Sequence, residues 1–234
     1  MRYNIHIFMS IVAITNNNVK QSMGYVNILE SMGATPRVIT PQDSGPLKNL
    51  MHDVSAILLG DGPSICASFD HTNAQDDHVE SVDLDEFELN ITRKALDLDL
   101  PILAIGRGLH ILNICQGGKA PLPIEGHSEY HSDLDKKLVH TIYLSPGAKA
   151  SAVIGSAGFF RVNSNHTCGI REIQRSPKLM STAYSVEDGI IEALESPEHS
   201  WVIGFQCNPE LQDQVPRSFS NLFLALVERS GVEP

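Results

Sequence analysis

The sequence predicts an α/β fold on a parallel sheet, and three observations carry that prediction. Short apolar runs, Ile5–Ile14, Ala34–Ile39, Ala56–Leu59 and Ile102–Ile105, alternate with stretches whose apolar residues recur at helical spacing. Several of these runs stop at glycine-rich turns, as buried strands do at the carboxyl edge of such sheets. The chain of 234 residues is 42% hydrophobic, enough for one sizeable core, so residues 1–234 are expected to form a single domain.

Taken in order, Arg2 and the run to Ile14 have something of a signal peptide. They lack a small-residue cleavage site and lead into Thr15-Asn-Asn-Asn18, so a first buried strand is the better reading. Val19–Met32 carries Val26, Ile28, Leu29 and Met32 at helical spacing and stops at Gly33. Ala34–Ile39 reads as a second strand, Leu47–Asp53 as a short helix or turn, and Ala56–Leu59 as a third strand ending in Gly60-Asp-Gly62-Pro63-Ser64. Strand, helix and strand in repetition imply right-handed crossovers. Cys66–Val82 is polar and acidic; its His71 and His78 read as part of a solvated loop rather than as metal ligands. A helix is expected over Asp83–Asp97 and a loop over Pro121–Lys137. Val139–Leu144, Val153–Ile154 and Phe159–Val162 are expected as β segments. Ala183–Ser185, Ile190–Glu195 and Trp201–Gln206 read as hairpin-like strands with turns at Asp188-Gly189 and Ser196-Pro197, before a last helix over Val215–Arg229.

The most informative stretch is Pro101-Ile-Leu-Ala-Ile-Gly106-Arg-Gly108-Leu-His110-Ile-Leu-Asn113. A strand, a sharp turn and a helix give the geometry of a nucleophile elbow, with helix N–H groups aimed at a substrate. Ala104 and Gly108 are small enough to let strand and helix approach closely. With the Gly117-Gly118 pair that follows, the segment resembles the elbow of the class I glutamine amidotransferases, nearest the gamma-glutamyl-gamma-aminobutyrate hydrolase type. The resemblance spans about residues 10 to 230 and implies a flavodoxin-like three-layer α/β sandwich with a central, mostly parallel sheet.

It also implies a site. Gly60, Asp61 and Gly62 resemble the family's Gly-Gly-Pro-Ser or Gly-Gly-Asp element, whose backbone N–H forms an oxyanion hole with that of the residue after the nucleophile, here Arg107. Asn163-Ser-Asn-His166-Thr167 resembles the family's Val-Asn-Ser-x-His-His-Gln loop, with only His166 kept and Thr167 and Cys168 replacing the rest. Asp188-Gly-Ile-Ile-Glu192-Ala-Leu-Glu195 is similar as well. Asp85 and Glu88 fall on an Arg-Asp-x-x-Glu pattern whose arginine position is Leu84. The family's elbow residue is a cysteine, and its Gln-Trp-His-Pro-Glu motif supplies the base and its orienting acid. This chain has Gly106 at the elbow and Gln206-Cys-Asn208-Pro-Glu210 at the motif, so only Glu210 of the triad is retained.

Both replacements point the same way. Glycine offers no nucleophile and an asparagine amide does not titrate. Loss of a triad nucleophile alone costs about 10⁶ in turnover. Glycine also adopts a strained elbow conformation without the penalty a Cβ would carry. The leading expectation is a non-catalytic relative that binds a small glutamyl-like or other carboxylate ligand through Arg107 N–H, the Gly60–Gly62 loop and the pocket histidines His110 and His166. A rebuilt hydrolase using His110, His166 or Cys207 is the alternative, and a partner subunit or homo-oligomer valued for its surfaces is a third.

The bulk properties narrow the partners. A formal charge of −11 argues against nucleic acid and anionic membranes. Cys66, Cys115, Cys168 and Cys207 form no C-x-x-C pair, so neither a zinc ribbon nor a disulfide framework is expected, and a reducing cytoplasm is. No cofactor and no metal are expected. His110, His166 and Glu210 could converge on an ion, but hydrogen bonding explains them more simply, and His127, His131 and His140 lie where relatives also carry histidines. Trp201 and Cys115 read as core.

Overall fold

The structure, a computed structural model, describes residues 10–16, 19–43, 45–63, 65, 79–128 and 139–231. Its strands are β1 (Ile11–Thr15), β2 (Thr35–Ile39), β3 (Ala56–Leu59), β4 (Ile102–Ile105), β5 (Leu122–Pro123), β6 (Val139–Leu144), β7 (Gly158–Asn163), β8 (Cys168–Gly169), β9 (Met180–Ser185), β10 (Ile191–Glu195) and β11 (Val202–Phe205). Its helices are α1 (Met23–Ser31), α2 (Leu47–Leu50), α3 (Val79–Asp97), α4 (Arg107–Cys115), α5 (Lys149–Ile154) and α6 (Asn221–Ser230).

Nine strands form one sheet in the order β2-β1-β3-β4-β11-β10-β9-β6-β7. The first five run parallel, with Val12 level with Ala56 and Ile57 level with Ile102. The others are antiparallel, extending the sheet through hairpins. Strands buried on both faces must be apolar at every position, and β3, β4 and β11 are buried throughout. Alternation sends Val12, Ile14, Leu58 and Leu103 to one core with α1 and α6. Ala13, Ile57, Leu59 and Ile102 go to a second core, with Ile91 of α3 and Leu109 and Leu112 of α4. Helix, sheet and helix layers follow, as in the flavodoxin-like architecture expected.

Four expectations need correction. Val153 and Ile154 close α5 instead of forming a strand, because Ala148, Ala150 and Ala152 favour helix and Gly155 ends it in a left-handed cap at φ 83°. The helix expected from Asp83 begins at Val79, inside the stretch expected as a loop; the rest of that loop, 66–78, lies outside the described residues. The last helix begins at Asn221, after the 3₁₀ turn Arg217–Ser220, since Pro216 is extended (ψ 139°). Finally, Cys168 is disulfide-bonded while Cys115 and Cys207 are free. One bridge leaves no spacing pattern for a sequence to display. Among the described residues, no helix is long and apolar enough to cross a membrane.

Candidate active site

The carboxyl ends of β3, β4 and β11 converge on one place, as parallel sheets require. Gly106 leaves β4 with φ 54° and ψ −113°, a conformation hostile to a Cβ, and its N–H donates to the Phe205 carbonyl at 2.8 Å. Two residues on, a Cβ at Gly108 would lie 2.4 Å from the Leu59 carbonyl oxygen, so glycine there permits the expected close approach of α4 to the sheet.

The space beside Gly106 is filled by Asp61. A Cβ at position 106 would fall 2.3 Å from Asp61 Oδ1 and 2.5 Å from its Cγ. The same Oδ1 accepts hydrogen bonds from the Gly62 N–H (2.9 Å) and the Arg107 N–H (3.0 Å). Asp61 Oδ2 accepts from Asn208 Nδ2 at 3.0 Å, and the Asp61 N–H donates to Tyr25 Oη at 3.1 Å. The paired main-chain donors of an oxyanion hole are present, and the protein's own carboxylate satisfies both. The Arg107 N–H and the Gly62 N–H, expected to face a ligand's carboxylate, are here bonded to Asp61.

Asn208 sits at the centre of this arrangement. Its backbone is held at both ends by Asn163, and its Nδ2 also donates to Glu210 Oε1 at 3.0 Å. Burial raises the Glu210 carboxyl to about 7, with Asp61 adding to the effect, and Glu210 Oε2 is buried without a hydrogen-bond partner. Burial also pushes the Tyr25 hydroxyl well above its ordinary range, helped by Glu210 and Asp61.

The Arg107 guanidinium is taken up by acceptors of the protein itself. Its Nε donates to Glu88 Oε2 (2.8 Å), Nη1 to the Pro63 carbonyl (3.0 Å) and Nη2 to Asp85 Oδ1. Glu88 Oε1 accepts from Thr15 Oγ1 at 2.7 Å, so the pair Asp85 and Glu88 braces the elbow through Arg107.

A pocket of ≈ 210 Å³ opens beside Asp61, bounded by Gly62, Arg107, His110, Asn165, His166 and Gln206, with Ser128, Thr167 and Cys168 at its wall. His110 Nε2 meets Gln206 Oε1 at 2.8 Å, and burial lowers the imidazole to about 4. Burial likewise takes His166 to about 3. Both rings are therefore neutral at pH 7. Cys207 is buried in the core, and desolvation pushes its thiol well above the ordinary range, so it supplies no nucleophile.

The structure thus gathers Asp61, Gly62, Arg107, His110 and His166 around one pocket, places Gly60 behind them against Tyr25, and links Asn208 and Glu210 through Asp61 and Tyr25. His110, His166 and Glu210 do not form a metal-ligating group; His166 instead joins His127, His140 and Glu192. His131 lies outside the described residues. Sequence reasoning named Asp61 for its loop but gave its side chain no role, quoted Asn163 and Gln206 only as motif positions, and missed Tyr25. A signal for Asp61 existed: an acidic residue stands between the two glycines of an oxyanion loop.

The chain matches the Peptidase C26 family over residues 6–210. It belongs to that family. Among relatives, it is 25% identical over 250 aligned residues to a glutamine amidotransferase-like protein of Rickettsia prowazekii, spanning 88% of this chain and 87% of the other. It is 26% identical over 197 residues to the gamma-glutamyl-gamma-aminobutyrate hydrolase of Escherichia coli K12, spanning 80% and 76%. The fold matches the crystal structure of a glutamine amidotransferase from Thermotoga maritima with a TM-score of 0.67, at 12% identity, over 95% of this chain and 98% of the other. This Peptidase C26 chain thus shares the fold of a glutamine amidotransferase, with the Asp61 carboxylate lodged against its Gly106 turn.

Proposed function

We propose that this Peptidase C26 member does not hydrolyse gamma-glutamyl or glutamine amides, and that it acts as a binding protein for a small glutamyl-like ligand. The observation that carries the reading is the Asp61 carboxylate on the Gly62 and Arg107 N–H groups. Amide hydrolysis needs a nucleophile at position 106 and an empty oxyanion hole, and Asp61 takes the room of both. A ligand in this pocket meets a carboxylate, neutral histidines and the Gln206 amide, so it is held by its own N–H or ammonium donors rather than by a carboxylate in the hole.

The test is hydrolysis of glutamine and of gamma-glutamyl-gamma-aminobutyrate by three proteins. Wild type is expected to be silent. Gly106→Cys/Asn208→His is expected to stay silent too, because the new Cβ meets Asp61. Adding Asp61→Gly frees the hole, and this triple variant is expected to exceed the double variant by about 10³-fold or more, the scale an oxyanion hole contributes. Turnover by wild type would overturn the reading, and an active double variant would show that Asp61 does not seal the elbow.

A further inference from the structure

Behind the pocket wall lies a second group of residues. His127, His140, His166 and Glu192 each offer one ligand atom, and these atoms all lie within 4.8 Å of one another. Glu192 is fully buried on β10, where the register against β9 shifts between Ile191 and Ala193, the kind of irregularity that re-aims a side chain. Neither of its carboxylate oxygens has a hydrogen-bond partner, and neither ring nitrogen of His140 has one. An ionisable carboxylate is not left so in a core without something to meet it.

The spacings say what would meet it. His127 Nδ1 is 3.2 Å from His166 Nε2, His140 Nε2 is 3.4 Å from one Glu192 oxygen, and His166 Nε2 is 3.8 Å from the other. A tetrahedral ion with bonds of about 2.0–2.1 Å sets its ligands about 3.3–3.4 Å apart. The outer nitrogens of two rings are already oriented. His166 Nδ1 faces the Cys168 carbonyl at 3.0 Å and His127 Nε2 faces the Asp188 carboxylate at 3.2 Å, which leaves His166 Nε2 and His127 Nδ1 as the inner lone-pair atoms of the cluster, the latter also 3.2 Å from the Ser164 hydroxyl. Main-chain bonding ties the two loops together, His166 N–H to the His127 carbonyl at 2.9 Å.

We infer that His127, His140, His166 and Glu192 form a binding site for one divalent transition-metal ion of zinc's type. Three imidazoles and one carboxylate suit a borderline-soft, four-coordinate ion better than magnesium or calcium, which take oxygen ligands. Four protein ligands make a closed set, so the ion pins the His127 and His166 loops onto β6 and β10. Because His166 also lines the pocket, the ion sets the shape of that wall. The inference does not depend on whether the elbow is catalytic.

Full-length protein, stripped with chelator, is titrated with Zn²⁺ by calorimetry and with Co²⁺ by visible absorption, and dialysed Zn²⁺-loaded protein is measured by elemental analysis. One equivalent per chain, a rise in melting temperature with Zn²⁺, and the strong ligand-field bands of four-coordinate cobalt are expected. Glu192→Gln and His140→Ala should each lose the equivalent, with circular dichroism reporting that they fold. Asp188→Asn should keep the stoichiometry and weaken binding about 10–100-fold. His52→Ala, on an exposed residue outside the set, should change nothing. Wild type that takes up no ion, or a folded Glu192→Gln/His140→Ala variant that still binds one equivalent, would overturn the site.

Discussion

The elbow and the histidine cluster lie on two sides of one pocket and handle buried polarity in opposite ways. At the elbow, nearly every donor has its acceptor: Asp61 takes the Gly62, Arg107 and Asn208 N–H groups, and Asp85 and Glu88 take the Arg107 guanidinium. At the cluster, Glu192 and His140 have no hydrogen bond on their polar atoms, and the buried carboxylate meets only imidazole nitrogens at 3.4 and 3.8 Å. A region that matches its own groups is closed to ligands, and one that does not retains an appetite for them. The difference separates a site that has been filled from a site built to be filled.

That contrast can be broken at several points. The largest effect should come from Arg107→Met, which leaves Asp85 and Glu88 as unpaired buried carboxylates and should cost about 3–5 kcal/mol in urea unfolding. A loss below about 1 kcal/mol would mean the elbow's bonds are not what holds it. Glu210 is next, since there the elbow's self-sufficiency fails. Its folded carboxyl keeps a proton to about pH 7, whereas the unfolded chain releases it near the ordinary glutamate value of 4.5. Stability from this group is therefore present below that ordinary value and is lost as pH rises through about 7, by about 3 kcal/mol in all. Glu210→Gln should flatten the corresponding part of the stability–pH curve; an unchanged slope would refute the assignment.

Gly106→Ala should cost about 1–3 kcal/mol for backbone strain alone, plus the displacement of Asp61. In an Asp61→Gly background the cost should shrink, with a coupling of about 0.5–3 kcal/mol between the two sites. A Gly106→Ala variant that melts higher than wild type would contradict the sealed elbow. Smallest of all, Glu192→Gln in metal-free protein should lie within about 1 kcal/mol of wild type, because burial already pushes this carboxyl toward its neutral form and the amide keeps its volume. The same change made at the elbow, Asp61→Asn, should destabilise, as one amide cannot accept everything a carboxylate accepts.

Much of the sheet was legible because parallel strands buried on both faces must be continuously apolar, and β3 and β4 fall where the apolar runs place them; antiparallel β6 falls where alternation places it. Val153 and Ile154 misled, since a β-branched pair is a weak local signal against a run of alanines and a glycine cap. At the site, motif positions singled out Gly106, Asn208 and Glu210 but could not reveal that Asp61 reaches 46 residues along to Arg107. The cluster was harder still. His127, His140, His166 and Glu192 come from separate loops and strands, and only the hairpin register and the β10 irregularity bring them within ligand distance.

The lodging of Asp61 against Gly106 couples the two positions. A Cβ at position 106 would lie 2.3 Å from Asp61 Oδ1, so any heavier residue there meets an occupied space. Substitutions at 61 and 106 are therefore epistatic, and the order in which they are made matters: a larger residue at 106 is tolerated once the side chain at 61 has been shortened, and not before.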